Sequence, residues 1–462
     1  MLVGIMTLLR EALAGAERDY TTVPVGRAVI FLAVPMVLEM TMEATFAITD
    51  VFWVSRLGVD AVATVGLTEA VLTLLYALAG GLGIATTAVV SRRIGEGQPA
   101  RAVTAAVQAI ILGLAISAVI GVPGALLGGD ILRLMGGSES VAATGAGYAS
   151  VVFGSSVTVV LIFLVNAAFR GAGDAALAMR VLWLANGINL VLDPCLIFGW
   201  GPFPEMGVTG AAVATALGRG IGVAYQFRVL ARGAGRIRVR RADIAVRLRE
   251  IGLILRLAVG GTLQNLIATA SWIALVRIVG AFGSAAVAGY TIAIRIIVFA
   301  LLPSWGLSGS AATMMGQNLG AGRPDRAERA VWIAGSYNVV FLLAVAVVFV
   351  AGARPLVGFF SHDPEVLAYG IESLRWVAYG YGFYGLGMVL VQAFNGAGDT
   401  TTPTVMNFGC YWLFQIPLAY VLAFTLEWGA RGVFVAVPVA ESLLTVVAVL
   451  TFRQGRWKTR QV

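Results

Sequence analysis

Apolar runs long enough to cross a bilayer recur from residue 28 to residue 452, and about 20 predominantly apolar residues suffice for one crossing. They predict twelve helical spans, at 28–55, 61–91, 101–126, 139–169, 175–200, 207–229, 251–280, 286–315, 327–351, 366–395, 400–424 and 430–452. Gly and Pro punctuate the connections. Gly171 to Gly173 and Gly396 to Gly398 follow the fourth and tenth spans, and Gly201-Pro202-Phe203-Pro204 makes a turn after the fifth. No stretch longer than about 30 residues is left outside a bilayer of that thickness. Function must therefore sit in the helices or their short loops.

The twelve spans fall into two copies of six. Leu32-Ala33-Val34 recurs at Leu257-Ala258-Val259, Gly95-Glu96-Gly97-Gln98-Pro99-Ala100-Arg101 as Gly320-Ala321-Gly322-Arg323-Pro324-Asp325-Arg326, and Ala168-Phe169-Arg170-Gly171-Ala172-Gly173-Asp174 as Ala393-Phe394-Asn395-Gly396-Ala397-Gly398-Asp399. All three matches share an offset of 225 residues, and chance likeness of apolar segments does not hold register. Six spans per copy is an even number, so the halves are parallel and enclose a central cavity between two lobes. The expected organisation is a lead-in (1–27), an N-lobe (28–230), a basic linker (231–250), a C-lobe (251–452) and a tail (453–462). The lead-in carries Glu11, Arg18 and Asp19 soon after a short apolar run, which does not resemble a secretory signal.

Composition agrees: 59% of residues are hydrophobic and 12% charged, against roughly 25% charged in soluble domains. The net charge of +8 would suggest nucleic acid only if the cations were clustered for it. Of 32 Lys and Arg, 23 lie in the N-terminus, the tail and the loops near 92–101, 170–180, 228–249 and 323–329, whereas four (Arg56, Arg133, Arg354, Arg431) lie in the alternate loops. The asymmetry predicts cytoplasmic termini and a cytoplasmic linker, and excludes nucleic-acid binding as the reason for the charge. Cys195 and Cys410 lack partnered spacing, and the single histidine, His362, sits in a loop. With no His cluster, paired metal signature or nucleophile motif, a membrane enzyme is not the expected function.

Ionisable side chains at membrane depth cost at least about 2.5 kcal/mol and usually face a cavity or a partner. In the first span Glu39, Glu43 and Asp50 fall within about 40° on one helical face. Their mates at the 225 offset are Gln264, Ala268 and Leu275, while Asn189 and Asp193 of the fifth span map onto Phe414 and Leu418. Acidity is confined to one lobe at these positions. Asp50, Asp193 and Thr215 are expected at a common depth roughly 8 to 12 Å inside the bundle, with Asn189 a turn deeper. Carboxylates grouped with amide and hydroxyl oxygens can seat a proton or a hard cation such as Na⁺. For Glu39, Glu43 and Glu69 the competing reading is mutual satisfaction within the bundle. Glu372, Arg375, Arg277 and Arg295 are expected to form a structural ion-pair cluster, and Glu441 has no evident partner.

These segments resemble the multidrug and toxic compound extrusion (MATE) transporters over essentially the full chain. The resemblance rests on two parallel six-span halves and on the first-span run from Pro35 through Asp50-Val51-Phe52-Trp53-Val54-Ser55-Arg56-Leu57-Gly58. It rests equally on the paired Arg/Asn-Gly-Ala-Gly-Asp segments and on Asn189-Leu190-Val191-Leu192-Asp193-Pro194 followed by Gly210-Ala211-Ala212-Val213-Ala214-Thr215. The Leu-Asp-Pro segment looks like the branch related to the DNA-damage-inducible protein F transporters. That resemblance implies export of organic, often cationic, compounds in exchange for H⁺ or Na⁺, with coupling and substrate binding at Asp50, Asn189, Asp193 and Thr215. Glu39, Glu43 and Gln264 are expected as further polar cavity residues. Another branch uses an acidic residue in the seventh span, where this chain has Gln264 and Asn265. The resemblance further implies a plasma (inner) membrane location, a monomer, and no cofactor besides the coupling ion. A lipid-linked oligosaccharide flippase shares the architecture and is the alternative, expected to show a cationic cavity.

Overall fold

A computed structural model describes residues 2–15, 18–460 and 462; residues 1, 16 and 17 of the lead-in and 461 of the tail lie outside it. The described residues form helices and connecting loops. The N-lobe spans are Val25–Ser55, Val59–Gly95, Pro99–Leu126, Glu139–Gly154 with Ser156–Ala172, Ala175–Phe198 and Val208–Arg232. Those of the C-lobe are Leu248–Val279, Ser284–Gly320, Pro324–Gly358, Pro364–Tyr379 with Tyr381–Gly396, the segment 401–425, and Ala430–Arg453. Ten of these are apolar and long enough to cross a membrane, and the tenth-span pair, bent by 59° at Gly380, makes eleven. The sixth, Val208–Arg232, is the twelfth helix, its apolarity diluted by Arg219, Gln226 and four glycines. Two short helices precede and interrupt the pattern, at Leu2–Ala14 and Gly128–Leu134. Pro35 is accommodated inside one continuous first helix.

The 225-residue register survives in the packing. Gly171 abuts Thr87 and Val90 of the second span, and Gly396 in the same way abuts Ala312 of the eighth. Across the lobes, Gly306 lies against the backbone of Met36 as Gly81 lies against Gly261, and Gly95 against Gln317 as Gly320 against Arg92. Each pair is its partner's image under the offset. The lobes are therefore parallel copies joined by an internal two-fold. Glycines do this because, among helices without a hydrophobic drive between them, close backbone approach supplies the van der Waals contact.

These inter-lobe contacts run from mid-depth to the end of the bundle where both chain termini pack. There Tyr20 donates a hydrogen bond from its hydroxyl to the Gly173 carbonyl at 3.2 Å, and Arg323 and Arg326 donate to carbonyls of residues 20–23. Val462 rests on Gly398, the mate of Gly173, while Arg460 pairs with Asp399 at 3.3 Å. The linker joins the same end, Arg236 donating its backbone N–H to Asp174 at 2.7 Å. The even span count is thus realised.

The register slides in the last two spans. The eleventh is wound as a π-helix over Phe408–Gln415 and Val421–Thr425, and π turns hold more residues than α turns. At its outer end the Leu196 and Ile197 carbonyls accept from the Met206 and Gly207 N–H groups, as those of Leu422 and Ala423 accept from Trp428 and Gly429, so the fifth and eleventh spans correspond there at an offset of 226. That single residue of slippage moves the mates of Asn189 and Asp193 from Phe414 and Leu418, as a fixed offset predicts, to Gln415 and Ala419. Acidity is still absent from the C-lobe fifth-span positions. In the sixth spans Gly207 and Gly429 share a positive φ (55° and 61°), and Gly210 and Gly432 make like contacts with the preceding span, a register of 222.

Candidate functional site

In the N-lobe, the one-turn spacing of Asn189 and Asp193 puts both on the face of the fifth helix that meets the sixth. Asn189 donates from Nδ2 to Asp193 Oδ1 at 3.1 Å and to Thr215 Oγ1 at 3.0 Å. Asp193 is fully buried and Asn189 nearly so. One oxygen of each, Asp193 Oδ2 and Asn189 Oδ1, is buried with no hydrogen-bond partner among the described residues. Unsatisfied buried oxygens are costly. This hydrogen-bonded trio thus keeps two buried acceptor oxygens without a donor among the described residues, a deficit that a proton or a cation answers.

Asp50 is close but not bonded to this group. It lies within Coulombic reach of Asp193, Glu69 and Arg219, and with Thr215 it lines a cavity of about 650 Å³ between the lobes. That cavity lies in the half of the bundle remote from the termini, its far wall formed by Arg295 and Phe299 of the eighth span and by Phe359 and Phe360 of the loop after the ninth. Three of the four sequence-derived site residues are joined by hydrogen bonds, and the fourth faces them from the cavity wall.

The other two acids of the first-span stripe are neutralised. Glu39, buried, accepts from Arg170 Nη1 at 2.7 Å and from Asn166 Nδ2 at 3.0 Å. Glu43 accepts from Asn186 Nδ2 at 2.9 Å and faces Arg219 at 3.5 Å. Arg219 also donates to the Tyr76 hydroxyl at 3.3 Å and lies over the Phe46 ring. Sequence reasoning counted Arg170 among loop cations; its place in the last turn of the fourth span instead lets the side chain turn back to Glu39. The signal that could have found it was the offset itself, since Glu39 and Arg170 map onto Gln264 and Asn395, two amides that hydrogen-bond each other at 3.0 and 3.2 Å. Gln264 is therefore held in the C-lobe by Asn395 and by the Thr400 carbonyl, although it lines the central cavity with Glu39.

The expected cluster of Glu372, Arg375, Arg277 and Arg295 does not assemble. Glu372 pairs with Arg431 at 2.8 Å, Arg375 donates to the Val350 carbonyl, and Arg295 faces the N-lobe cavity with Glu69 in its field. Shared depth does not make neighbours when helices lie on different sides of a lobe. Residues missed in the sequence include Tyr76, Tyr148 and Arg219 in the outer cavity wall.

A family model described as MatE matches residues 35–195 and 262–421, one stretch in each lobe. Among its relatives, a protein named FAD transporter from Shewanella oneidensis is 27% identical over 92% of this chain and 93% of its own. A probable multidrug resistance protein NorM from Thermotoga maritima is 24% identical over 95% and 94%. Among solved structures, a crystal structure of MATE in complex with MaL6 superposes with a TM-score of 0.90 at 25% identity, covering 96% of this chain and all of that one.

Proposed function

Because the chain belongs to the MATE family of membrane transporters, we propose that it is a secondary active exporter of organic, often cationic, compounds driven by inward movement of H⁺ or Na⁺. The coupling site is Asp50, Asn189, Asp193 and Thr215. The observation that carries this reading is the pair of buried, unpartnered oxygens on Asp193 and Asn189 beside the Thr215 hydroxyl. The arrangement fits the N-lobe site of the branch related to the DNA-damage-inducible protein F transporters. Both termini and the linker face the cytoplasm, so the packed half of the bundle is the cytoplasmic one and the open cavity faces out. Occupation of the N-lobe site by the cation changes the affinity for substrate, and the reciprocal effect couples the two fluxes, typically by about 1 to 3 kcal/mol. The chain works as a monomer in the plasma membrane and needs no cofactor besides its coupling ion.

A lipid pyrophosphate flippase calls for a cavity with excess positive charge. The outer cavity instead sets Glu43, Asp50 and Glu69 against Arg219 and Arg295, which favours organic cations over polyanions. Everted vesicles offered a fluorescent substrate set from outside, energised in turn by a pH or a Na⁺ gradient, test the reading. Gradient-dependent accumulation of cationic dyes is expected. Transport indifferent to both gradients overturns antiport, and accumulation of flavin dinucleotide alone overturns the substrate class.

A further inference from the structure

The C-lobe contains a second polar site, and the internal symmetry of the chain explains why. In the 222-residue register of the sixth and twelfth spans, the mate of Arg219 is Glu441. The mate of Glu43, which neutralises Arg219 at 3.5 Å, is Ala268 in the first-to-seventh span register of 225. The N-lobe thus holds a complete ion pair, whereas the C-lobe holds a carboxylate whose counter-charge has been replaced by a methyl group. Ala268 and Glu441 line the same cavity, of about 390 Å³, at the centre of the bundle.

Three acidic or basic side chains face that cavity: Glu39, Arg170 and Glu441. Glu39 and Arg170 cancel each other at 2.7 Å. Glu441 is 8% exposed and has no cationic partner among the described residues; its one side-chain hydrogen bond comes from Tyr411. In the same lining Asn407, 7% exposed, presents a buried carbonyl oxygen Oδ1 that accepts no hydrogen bond among the described residues. Trp305, Tyr384 and the thioethers of Met36, Met40 and Met388 complete an aromatic and polarizable lining. A carboxylate out of water is costly without a counter-charge. Aromatic faces add attraction for a cation, and methionines adapt to varied apolar shapes.

We propose that Glu441 and Asn407 form a binding subsite for an amphipathic organic monocation, Glu441 supplying the counter-charge that Ala268 fails to supply and Asn407 Oδ1 accepting from an amine of the ligand. The proposal rests on the export reading for its biological sense, but the site is separate from the N-lobe coupling site in residues and in cavity. Its volume suits a ligand of drug size.

Ethidium, a planar aromatic monocation bearing amines, is the probe, and dihydroethidium, its uncharged reduced form kept anaerobic, is the control. Equilibrium dialysis against the purified full chain in detergent needs no gradient. Glu441→Gln should weaken ethidium binding at least tenfold and leave dihydroethidium binding within twofold. Ala268→Arg, which restores the missing counter-charge internally, should also abolish ethidium binding, whereas Ala268→Met, of similar length without charge, should retain it. Wild-type ethidium affinity in both Glu441→Gln and Ala268→Arg overturns the proposal, as does equal loss in Ala268→Arg and Ala268→Met. If Glu441→Gln does not fold, the Arg and Met pair still decides. Loss of binding in a protein that no gradient drives would keep the subsite and reject antiport. Driven export in a wild type whose Glu441→Gln variant binds and exports normally would keep antiport and reject the subsite.

Discussion

Arg170 donates to Glu39 at 2.7 Å in the N-lobe, at the positions where the C-lobe joins two neutral amides, Asn395 and Gln264. The same backbone arrangement therefore carries a charged and an uncharged solution to one packing problem. Glu39 is 1% exposed, whereas the Arg170 side chain is 21% exposed. Loss of the arginine strands a carboxylate; loss of the carboxylate leaves a guanidinium that still reaches the cavity.

Arg170→Asn should thus lower stability more than Glu39→Gln. Removing one member of a buried pair costs about 3 to 5 kcal/mol, and the larger loss belongs to Arg170→Asn. The double variant copies the C-lobe amide pair and should recover most of it. Thermal unfolding of the three purified proteins checks the order, and a double variant as unstable as Arg170→Asn would show that the two lobes do not share this solution.

The legible part of the chain was what hydrophobic period and repetition encode: twelve helices, the pairing of halves, and the grouping of Asn189, Asp193 and Thr215. The illegible part turned on side-chain direction and helix winding. Arg170 stands beside loop cations in sequence and points into the bundle in space. Glu441 had no visible partner because the residue that would have supplied one, at position 268, is an alanine. The π-wound eleventh span shifted its register by one residue, something no periodicity in Phe408–Gln415 announces, since π turns differ from α turns in hydrogen bonding more than in composition.

The exposed Ala234 and His362 lie at opposite ends of the bundle. In a background without Cys195 and Cys410, Ala234→Cys should react with a membrane-impermeant maleimide only in everted vesicles, and His362→Cys only in intact cells. Labelling of both from one side would invalidate the topology on which the direction of export depends.

Asp193→Asn and Asp50→Asn should each abolish gradient-driven export while leaving the fold intact, because neither carboxylate anchors an ion pair among the described residues. Thr215→Val removes one acceptor of the Asn189 amide and should reduce the transport rate about tenfold, roughly 1.4 kcal/mol in the coupled step. Glu69→Gln should retain most activity, since Glu69 lines the cavity without joining the hydrogen-bonded group. Initial rates of dye transport in proteoliposomes under one fixed gradient provide the comparison. Wild-type rates in both aspartate variants would move the coupling site elsewhere.

Gly95 and Gly320 mark the closure between the lobes at the terminal end. A Cβ at either position would overlap backbone of the other lobe, at Gln317 for Gly95 and at Arg92 for Gly320. Neither obstacle is a flexible side-chain tip that could swing away. Gly95→Val should therefore force the lobes apart at this end. The hydrogen bonds from Thr313 to the Arg170 carbonyl and from Gln317 to the Gly171 carbonyl, both 3.0 Å, would be lost with the closure. The helices themselves tolerate valine at about the cost of its modest propensity deficit, so the change acts on the equilibrium between openings rather than on folding. Spin labels at Gly97 and Gly322, exposed or nearly so beyond the contact, should report a longer inter-lobe distance in Gly95→Val than in wild type. Cysteine placed at Thr313 should become reactive to impermeant reagents from the side that labels Ala234→Cys. Export should fall with it, because a transporter held open at one end cannot alternate. An unchanged label distance with normal transport would mean that the glycine contact is a feature of packing alone and does not gate the cavity.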